Sequence, residues 1–171
     1  MLTEHMKLMA LFSMTGEVVG RKKLQKMVYI AKKAGIPFSE RYHFHRFGPY
    51  SDELTVRMEE LCNLGFVEEM TEDKGHYSQY RYQLSEEGRT FLEMYGLDMP
   101  LFPQLAESLN EQSARFLELV STMLYFSETE ETERKERIQK LKRKQNYTEA
   151  DFAEATTYIR NLIAVPKSLM H

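Results

Sequence analysis

The sequence predicts a mainly α fold with a small β component (α+β): a winged helix-turn-helix over residues 1–96, followed by a C-terminal helical extension over residues 97–171. The first observation is the order of the local patterns, which is helix, helix, helix, β-hairpin, helix. The second is a pair of junctions, Leu61-Cys-Asn-Leu-Gly-Phe-Val67 between a helix and a strand, and Tyr82-Gln-Leu-Ser-Glu-Glu-Gly88 between a strand and a capped helix. The third is that only helical patterns follow Pro100.

The first two helices are predicted from apolar residues at helical spacing. Thr3 is a predicted N-cap, and the helix that follows it, with Leu8, Leu11 and Phe12 on one face, is expected to end near Met14. The second helix has an i, i+3, i+4, i+7 stripe and ends at Gly35 and Pro37; the stripe is Leu24, Met27, Val28 and Ala31. Its outward face is predicted to carry the basic residues Arg21, Lys22, Lys23, Lys26, Lys32 and Lys33.

Residues 36–50 are dense in aromatic and basic side chains. Tyr42 and Phe44 alternate with His43 and His45, which is typical of a short extended segment with one buried side. Gly48-Pro49 is expected to turn the chain.

Ser51 is a predicted N-cap for the third helix, and Asp52 and Glu53 in its first turn suit the helix dipole. The core stripe of this helix is predicted to be Leu54, Met58, Leu61 and Cys62, and Gly65 ends it. Residues 66–70 and 80–84 are predicted strands with a polar loop at 71–79. A fourth helix, capped by Ser85, is expected from Glu86 to Tyr95.

The last third of the chain is predicted to be helical. One amphipathic stripe is formed by Phe116, Val120, Met123 and Leu124, and residues 127–146 are highly charged. Thr148 and Asp151 resemble a capping box for a last helix lined by Phe152, Ala155, Ile159 and Ile163. These faces are expected to cover the first domain, a second copy of the chain, or both, so we predict a homodimer.

The composition, 42% hydrophobic and 29% charged, is that of a soluble globular protein. A single cysteine, Cys62, excludes an internal disulfide framework and suits a reducing compartment. We expect no signal peptide, because Glu4, His5 and Lys7 interrupt the first apolar stretch, and no run of about 20 apolar residues is present to span a bilayer. We therefore predict a cytoplasmic protein without membrane contact.

The net charge of −3 is unevenly distributed. Residues 1–64 carry ten Lys/Arg against seven Asp/Glu, a balance of +3, whereas residues 65–100 carry three against eight, a balance of −5. The local basic balance makes the second helix the candidate DNA-phosphate contact, through Arg21, Lys22, Lys23 and Lys26. A solvated helix surface is the alternative.

The third helix is the expected recognition helix, and its candidate base or groove contacts are Tyr50, Ser51, Thr55 and Arg57. Asp52 and Glu53 stand at the entry of the same helix, where they would meet phosphates. The predicted hairpin carries Glu68, Glu69, Glu72 and Asp73 beside Lys74, His76 and Arg81. Both acidic clusters argue against ordinary DNA binding.

The segment around His43, His45, Arg46 and Tyr50 is a candidate interaction surface, because aromatic and arginine side chains are enriched at binding hot spots. A packed connector with solvated His and Arg side chains is the alternative. The spacing of the His residues gives no support for a metal site, and no cofactor motif is present. Cys62 lies on a core stripe, so the sequence offers no catalytic nucleophile and predicts a protein that is not an enzyme.

Two segments resemble known families: Arg21-Lys-Lys-Leu-Gln-Lys-Met-Val-Tyr-Ile-Ala31 and His43-Phe-His-Arg-Phe-Gly-Pro-Tyr-Ser-Asp-Glu-Leu54. Together they are similar to the YwgA family of uncharacterised bacterial proteins, over nearly the whole chain. More distantly, the Lys-Leu-Gln-Lys helix and the aromatic Gly-Pro segment resemble the Panacea domain of SocA-like antitoxins, from which this chain departs in its full hairpin and its C-terminal half. The first resemblance implies a winged-helix-like fold and brings no reaction or ligand.

Two functions follow as hypotheses. The first, which is the leading hypothesis, is a winged-helix DNA-binding protein, a transcriptional regulator that binds double-stranded DNA. The second is a non-enzymatic protein-interaction adaptor or antitoxin-like module that uses the same fold to bind a protein partner without DNA. The acidic third helix and hairpin favour the second hypothesis, and the basic second helix favours the first.

Overall fold

The structure is a computed structural model that describes residues 2–45, 48–96, 99, 101–127 and 131–164. The elements in chain order are Thr3–Thr15 (α1), Glu17–Val19 (β1), Arg21–Lys33 (α2), His43–His45 (β2), Gly48–Tyr50 (β3), Asp52–Asn63 (α3), Val67–Asp73 (β4), Ser78–Leu84 (β5), Glu86–Tyr95 (α4), Pro103–Glu111 (α5), Ala114–Phe126 (α6), Glu131–Gln145 (α7) and Glu149–Ala164 (α8). The predicted α+β class is confirmed.

Side-chain caps define several helix starts as predicted. Ser51 Oγ accepts a hydrogen bond from Leu54 N, and Ser85 Oγ accepts one from Gly88 N, which satisfies an otherwise unpaired donor at each helix start. The predicted capping box of α8 is also present, since Thr148 N donates to Asp151 Oδ2 at 2.9 Å and Asp151 N donates to Thr148 Oγ1 at 3.1 Å. The predicted bounds of α4 are confirmed.

The prediction that Thr3 caps α1 is wrong. Thr3 is the first helical residue, because Met6 N already donates to Leu2 O at 2.8 Å and Leu2 occupies the cap position. The predicted core face is nevertheless confirmed, with Leu8, Leu11 and Phe12 fully buried.

A three-stranded antiparallel sheet has the order β1-β5-β4, with Val18 opposite Tyr82 and Val67 opposite Leu84. β1 was not predicted, because three residues are too few for a periodic signal. The hairpin strands are longer than predicted. β4 and β5 continue through the polar residues 71–73 and 78–79, which lie at the exposed tip and pair as Glu72 with Gln79 and Asp73 with Ser78.

The expected turn at Gly48-Pro49 is also wrong. Both residues lie in β3, which pairs with β2 so that Phe44 faces Pro49 and His43 faces Tyr50. Gly48 has φ +94°, and a Cβ there would lie 3.1 Å from Thr122 Oγ1. A glycine is therefore required for the hairpin to approach α6, not for a reversal of the chain.

One continuous core runs through both halves of the chain. Leu24, Met27, Val28 and Ala31 of α2 are buried as predicted. Helix α6 packs on α2 and buries Leu117, Leu119 and Val120 completely, so its buried face is wider than the predicted stripe, in which Phe116, Met123 and Leu124 are half-buried. Of the predicted α8 face, Ala155 is buried, and the side chain of Ile163 lies outside the described residues. No helix in the described ranges has the length and apolar character needed to cross a membrane.

Candidate functional site

A groove of about 430 Å³ lies between α2, α3 and the β4–β5 hairpin. Its apolar lining comes from two helices and comprises Leu24, Leu54, Met58 and Cys62. The polar lining comprises Arg21, Gln25, Tyr50, Thr55, Glu59, Asn63, Glu69 and Tyr82. The lining thus combines four apolar side chains with eight polar ones, and polar groups in a pocket orient what binds there.

Hydrogen bonds fix one wall of the groove. Arg21 Nε donates to Tyr82 Oη at 3.0 Å, and Tyr82 Oη donates to Glu69 Oε2 at 2.7 Å. The Arg21 guanidinium also lies 3.6 Å from the centre of the Tyr80 ring, a cation–π contact. Burial, together with the Glu69 carboxylate, raises the pKa of Tyr82 far above its usual value, so the phenol stays protonated as a donor.

Gln25 fixes the opposite wall by joining α2 to the start of α3. Its Oε1 accepts from Ser51 N at 2.9 Å, and its Nε2 donates to Ser51 O at 2.9 Å and to Thr55 Oγ1 at 3.2 Å. The Thr55 hydroxyl is also 2.8 Å from Tyr50 Oη. These hydrogen bonds within the chain hold both walls of the groove in place.

Cys62 is half-buried in the groove lining, and burial raises the pKa of its thiol. A raised pKa leaves less thiolate at neutral pH, which is the opposite of what an activated nucleophile needs. Within the residues that the structure describes, no three His, Cys, Asp or Glu side chains converge as a metal site would require.

The four residues predicted to contact phosphate differ in how exposed they are and in what they contact within the chain. Lys22 is exposed, and Arg21 belongs to the groove wall. The half-buried Lys23 donates from Nζ to Asn110 O, and burial lowers its pKa. The predicted outward position of Lys26 is wrong: its residue surface is only 2% exposed and its Nζ donates to Pro49 O at 2.8 Å, because α6 and the β2–β3 hairpin cover this part of α2.

The four predicted base or groove contacts are engaged within the chain. Ser51 is fully buried as the N-cap of α3, so its side chain cannot reach a base edge. Tyr50 and Thr55 bond to each other, and Thr55 also bonds to Gln25. Arg57 forms an ion pair with Glu40, whose side chain is fully buried.

The predicted interaction surface at residues 43–50 divides between two sides of the β2–β3 hairpin. His43 and His45 are exposed, and the His45 ring lies 5.1 Å from that of half-buried Tyr50. Phe44 instead packs against α6, with its ring centroid 5.4 Å from Tyr125 and 4.8 Å from Phe126. Arg46, the fourth member of the predicted surface, lies outside the described residues.

Residues 51–84, which include α3 and the β4–β5 hairpin, are predominantly acidic, and two of their carboxylates, Glu59 and Glu69, line the groove. Residues 51–84 contain eight Asp/Glu against three Lys/Arg, a balance of −5. Exposed carboxylates on α3 and β4 include Asp52, Glu59, Glu60, Glu68, Glu69 and Asp73. Four large apolar side chains are also exposed on α3 and the hairpin region: Val56, Leu64, Met70 and Tyr77.

Sequence reasoning missed the role of Gln25. A signal was present, since Gln25 immediately follows Leu24 and stands three residues before Val28 on the buried side of α2. A polar side chain in such a position needs an internal hydrogen-bond partner. The partner, Ser51, is not identifiable from helical spacing because it belongs to the next helix.

A scan against protein-family models gives no match. The chain is 56% identical over 162 residues to the Bacillus subtilis (strain 168) protein named "Uncharacterized protein YwgA". The matched region covers 95% of this chain and 98% of that relative.

Proposed function

The chain belongs to the YwgA family, and we propose that it is a non-enzymatic protein-interaction adaptor, built on a winged-helix scaffold, that binds its partner at the groove between α2, α3 and the β4–β5 hairpin. The main support for the proposal is the groove itself, whose walls are held by hydrogen bonds within the chain and whose lining combines apolar side chains with the carboxylates of Glu59 and Glu69. A cytoplasmic location belongs to the same proposal.

The winged-helix assignment is supported by topology. The order α1, β1, α2, α3, β4, β5 and the sheet order β1-β5-β4 are those expected of a three-helix core with a hairpin wing. The β2–β3 hairpin between α2 and α3 is an addition to this plan. It separates the two helices by more residues than a simple helix-turn-helix needs.

The placement of the cations argues for a protein partner over DNA. DNA affinity depends on Lys and Arg side chains that can neutralise phosphates. Here Arg21, Lys23, Lys26 and Arg57 are engaged in internal contacts, as described above. The exposed side of α3, which would face the major groove, carries Asp52, Glu59 and Glu60.

Blocking the groove tests the adaptor function. Asn63 is exposed at the groove, so Asn63→Trp is expected to obstruct it without disturbing the core. Gln104→Trp, at an exposed site on α5, is the matched control. Affinity capture from a Bacillus subtilis lysate, followed by mass spectrometry, should give a set of proteins that Asn63→Trp loses and Gln104→Trp keeps. An identical set from both variants would contradict the proposal.

DNA binding is the second candidate, and the topology is the observation that favours it. A random duplex titrated at 50–200 mM salt separates the two functions, because phosphate contacts produce a steep salt dependence. For an adaptor we expect a Kd weaker than about 10⁻⁴ M at physiological salt, the weak end of nonspecific DNA binding. Tighter binding that Lys22→Glu weakens would support DNA binding.

We also propose that the chain forms a homodimer, through a surface other than the groove. The apolar face of α6 is covered by α2 of the same chain. Met94, Tyr95 and Leu101, however, are each at least 60% exposed. Sedimentation equilibrium of the chain and of Met94→Glu would show whether these residues hold two copies together.

A further inference from the structure

We propose that the groove binds a lysine- or arginine-rich protein segment that inserts one apolar side chain between α2 and α3. This inference rests on the proposed adaptor function and adds the chemistry of the partner. The apolar anchor would contact the groove lining, and the flanking basic residues would pair with carboxylates of α3 and β4.

The dimensions and lining of the groove fit an anchor side chain. A volume of about 430 Å³ lies in the lower part of the range of roughly 300–1,000 Å³ for ligand pockets. Leu24, Leu54 and Met58 supply apolar surface from both helices. Met58 is an adaptable packing partner, since its unbranched thioether side chain tolerates anchors of different shape.

The groove also requires little ordering when a segment binds. Gln25 holds the start of α3 against α2 with three hydrogen bonds, and Tyr82 bridges Arg21 and Glu69 on the other wall. A preformed site avoids much of the entropy cost of association. A short segment can therefore bind more tightly here than at a site that must become ordered on binding.

The charges around the groove select a basic segment. The three basic residues within 51–84 all have acidic partners: Arg57 pairs with Glu40, Arg81 with Glu17 and Glu72, and Lys74 with Glu72. Arg21 at the groove wall is 3.5 Å from Glu69. The exposed carboxylate of Glu59 therefore leaves the groove lining with a net negative charge, which attracts Lys and Arg and repels a phosphate backbone.

Cys62 provides a direct measurement of groove occupancy. It is the single cysteine of the chain and lines the groove, so the rate at which methyl methanethiosulfonate modifies the intact protein reports access to the groove. The probes are three 11-residue peptides: a central Leu flanked by alternating Lys and Ser, the same flanks around a central Ser, and a central Leu flanked by alternating Glu and Ser. Fluorescence anisotropy of the labelled peptides gives an independent Kd.

We expect the Leu-centred basic peptide to slow Cys62 modification at least tenfold at saturation, and the other two peptides to change the rate less than twofold. Glu59→Lys, at an exposed groove residue, should weaken binding of that peptide five- to tenfold. Glu107→Lys, at an exposed site on α5, makes the same change in net charge and should leave the Kd within twofold.

Equal protection by the Ser-centred peptide, or protection by the acidic peptide, would overturn the inference. So would the absence of any peptide binding. If peptides fail while lysate capture still depends on Asn63, the adaptor function stands and the segment class is wrong. If duplex DNA protects Cys62 and Glu59→Lys strengthens DNA binding, the adaptor function itself is wrong.

Discussion

Lys26 brings a positive charge into the interface between α2, the β2–β3 hairpin and α6. Burial lowers its pKa to about 8, although the charge of Glu118 on α6 partly offsets this effect. The pKa of Glu118 is raised, again chiefly by burial. Both groups would thus be more easily ionised in the unfolded chain, and the interface carries an electrostatic cost at neutral pH.

The stability of the protein is expected to rise with pH above 8 because of Lys26. Between pH 8 and the ordinary value of 10.5, the unfolded chain binds the Lys26 proton and the folded chain releases it, so the free energy of unfolding increases by up to about 1.4 kcal/mol per pH unit. Urea unfolding at pH 7.0–9.5 checks this against Lys26→Met, which should lack the increase. If the unfolding free energies of the unmodified protein and Lys26→Met differ by the same amount at every pH in this range, Lys26 is not the source of the increase.

Gly48 is expected to be intolerant of a side chain for two separate reasons. Its φ of +94° disfavours any L residue, and an added Cβ would lie 3.1 Å from Thr122 Oγ1. Gly48→Ala should therefore destabilise the protein by about 1–3 kcal/mol. Gly75→Ala is the matched control, since Gly75 has φ +92° but nothing within 4 Å of an added Cβ. If denaturant unfolding shows the same loss of unfolding free energy for Gly48→Ala and Gly75→Ala, the contact with α6 makes no contribution.

At the residue scale, local roles could be predicted and distant ones could not. Ser51 and Ser85 are caps because of their immediate neighbours, and the sequence predicts both. Lys26 lies on the same helix as four correctly predicted core residues, but it is buried by Pro49 and by α6, which belong to other parts of the chain. Helical spacing carries no information on such covering elements.

At the scale of elements, close packing at Gly88 in α4 opposes the general preference of helices for alanine over glycine. Gly88 lies in its first turn, and a Cβ there would approach the carbonyl oxygen of Phe66 to 2.2 Å and Leu84 Cδ1 to 2.9 Å. Ser85 N donates to the same Phe66 carbonyl at 2.9 Å. The glycine therefore allows the start of α4 to lie directly against the backbone that leads into β4.

Gly88→Ala distinguishes these two effects by the sign of the change. Helix propensity alone predicts stabilisation by about 1 kcal/mol. The close backbone contact predicts a net loss of at least about 2 kcal/mol, because Phe66 or α4 must move. Thermal unfolding followed by circular dichroism measures the sign, and an increase in Tm would contradict the packing argument.

Helices and strands were predicted correctly where the apolar pattern extended over several helical turns or several alternating strand residues. The bounds of α4 and the buried face of α2 were predicted from such patterns. β1 was missed because Glu17–Val19 becomes a strand only through its pairing with β5. The tip of the β4–β5 hairpin was predicted as a loop because its side chains are exposed on both faces and show no alternation.

For the whole molecule, the groove is a product of distant contacts. Arg21 and Tyr82 are 61 residues apart in the chain, and Gln25 and Ser51 are 26 apart. Arg21 and Ser51 were predicted as candidate DNA contacts, Ser51 also as an N-cap, and Gln25 and Tyr82 were given no role in a site, because helical spacing does not show which distant elements meet. The apolar lining, Leu54 and Met58, was correctly predicted to lie on the inner face of α3.

Residues 1–96 are not expected to fold as an independent unit. Phe38 packs against Phe102 with ring centroids 6.0 Å apart, and Tyr29 lies 6.4 Å from Tyr125, so removal of the C-terminal helices exposes large aromatic surfaces. A chain ending at Gly96 should show no cooperative thermal transition by circular dichroism. A sharp transition within a few degrees of the full chain would instead show that the first 96 residues are self-sufficient.

The pairing of β1 with β5 sets the order in which the sheet folds. β4 and β5 are joined by a short turn, whereas Glu17 meets Gln83 only after the whole of α2, the β2–β3 hairpin, α3 and β4 have been enclosed. Contacts that close such long loops form late in folding, because the chain loses loop-closure entropy before the new contacts contribute stability. We therefore expect β1 to join the sheet after the transition state, so that Val18→Ala accelerates unfolding and leaves the folding rate almost unchanged.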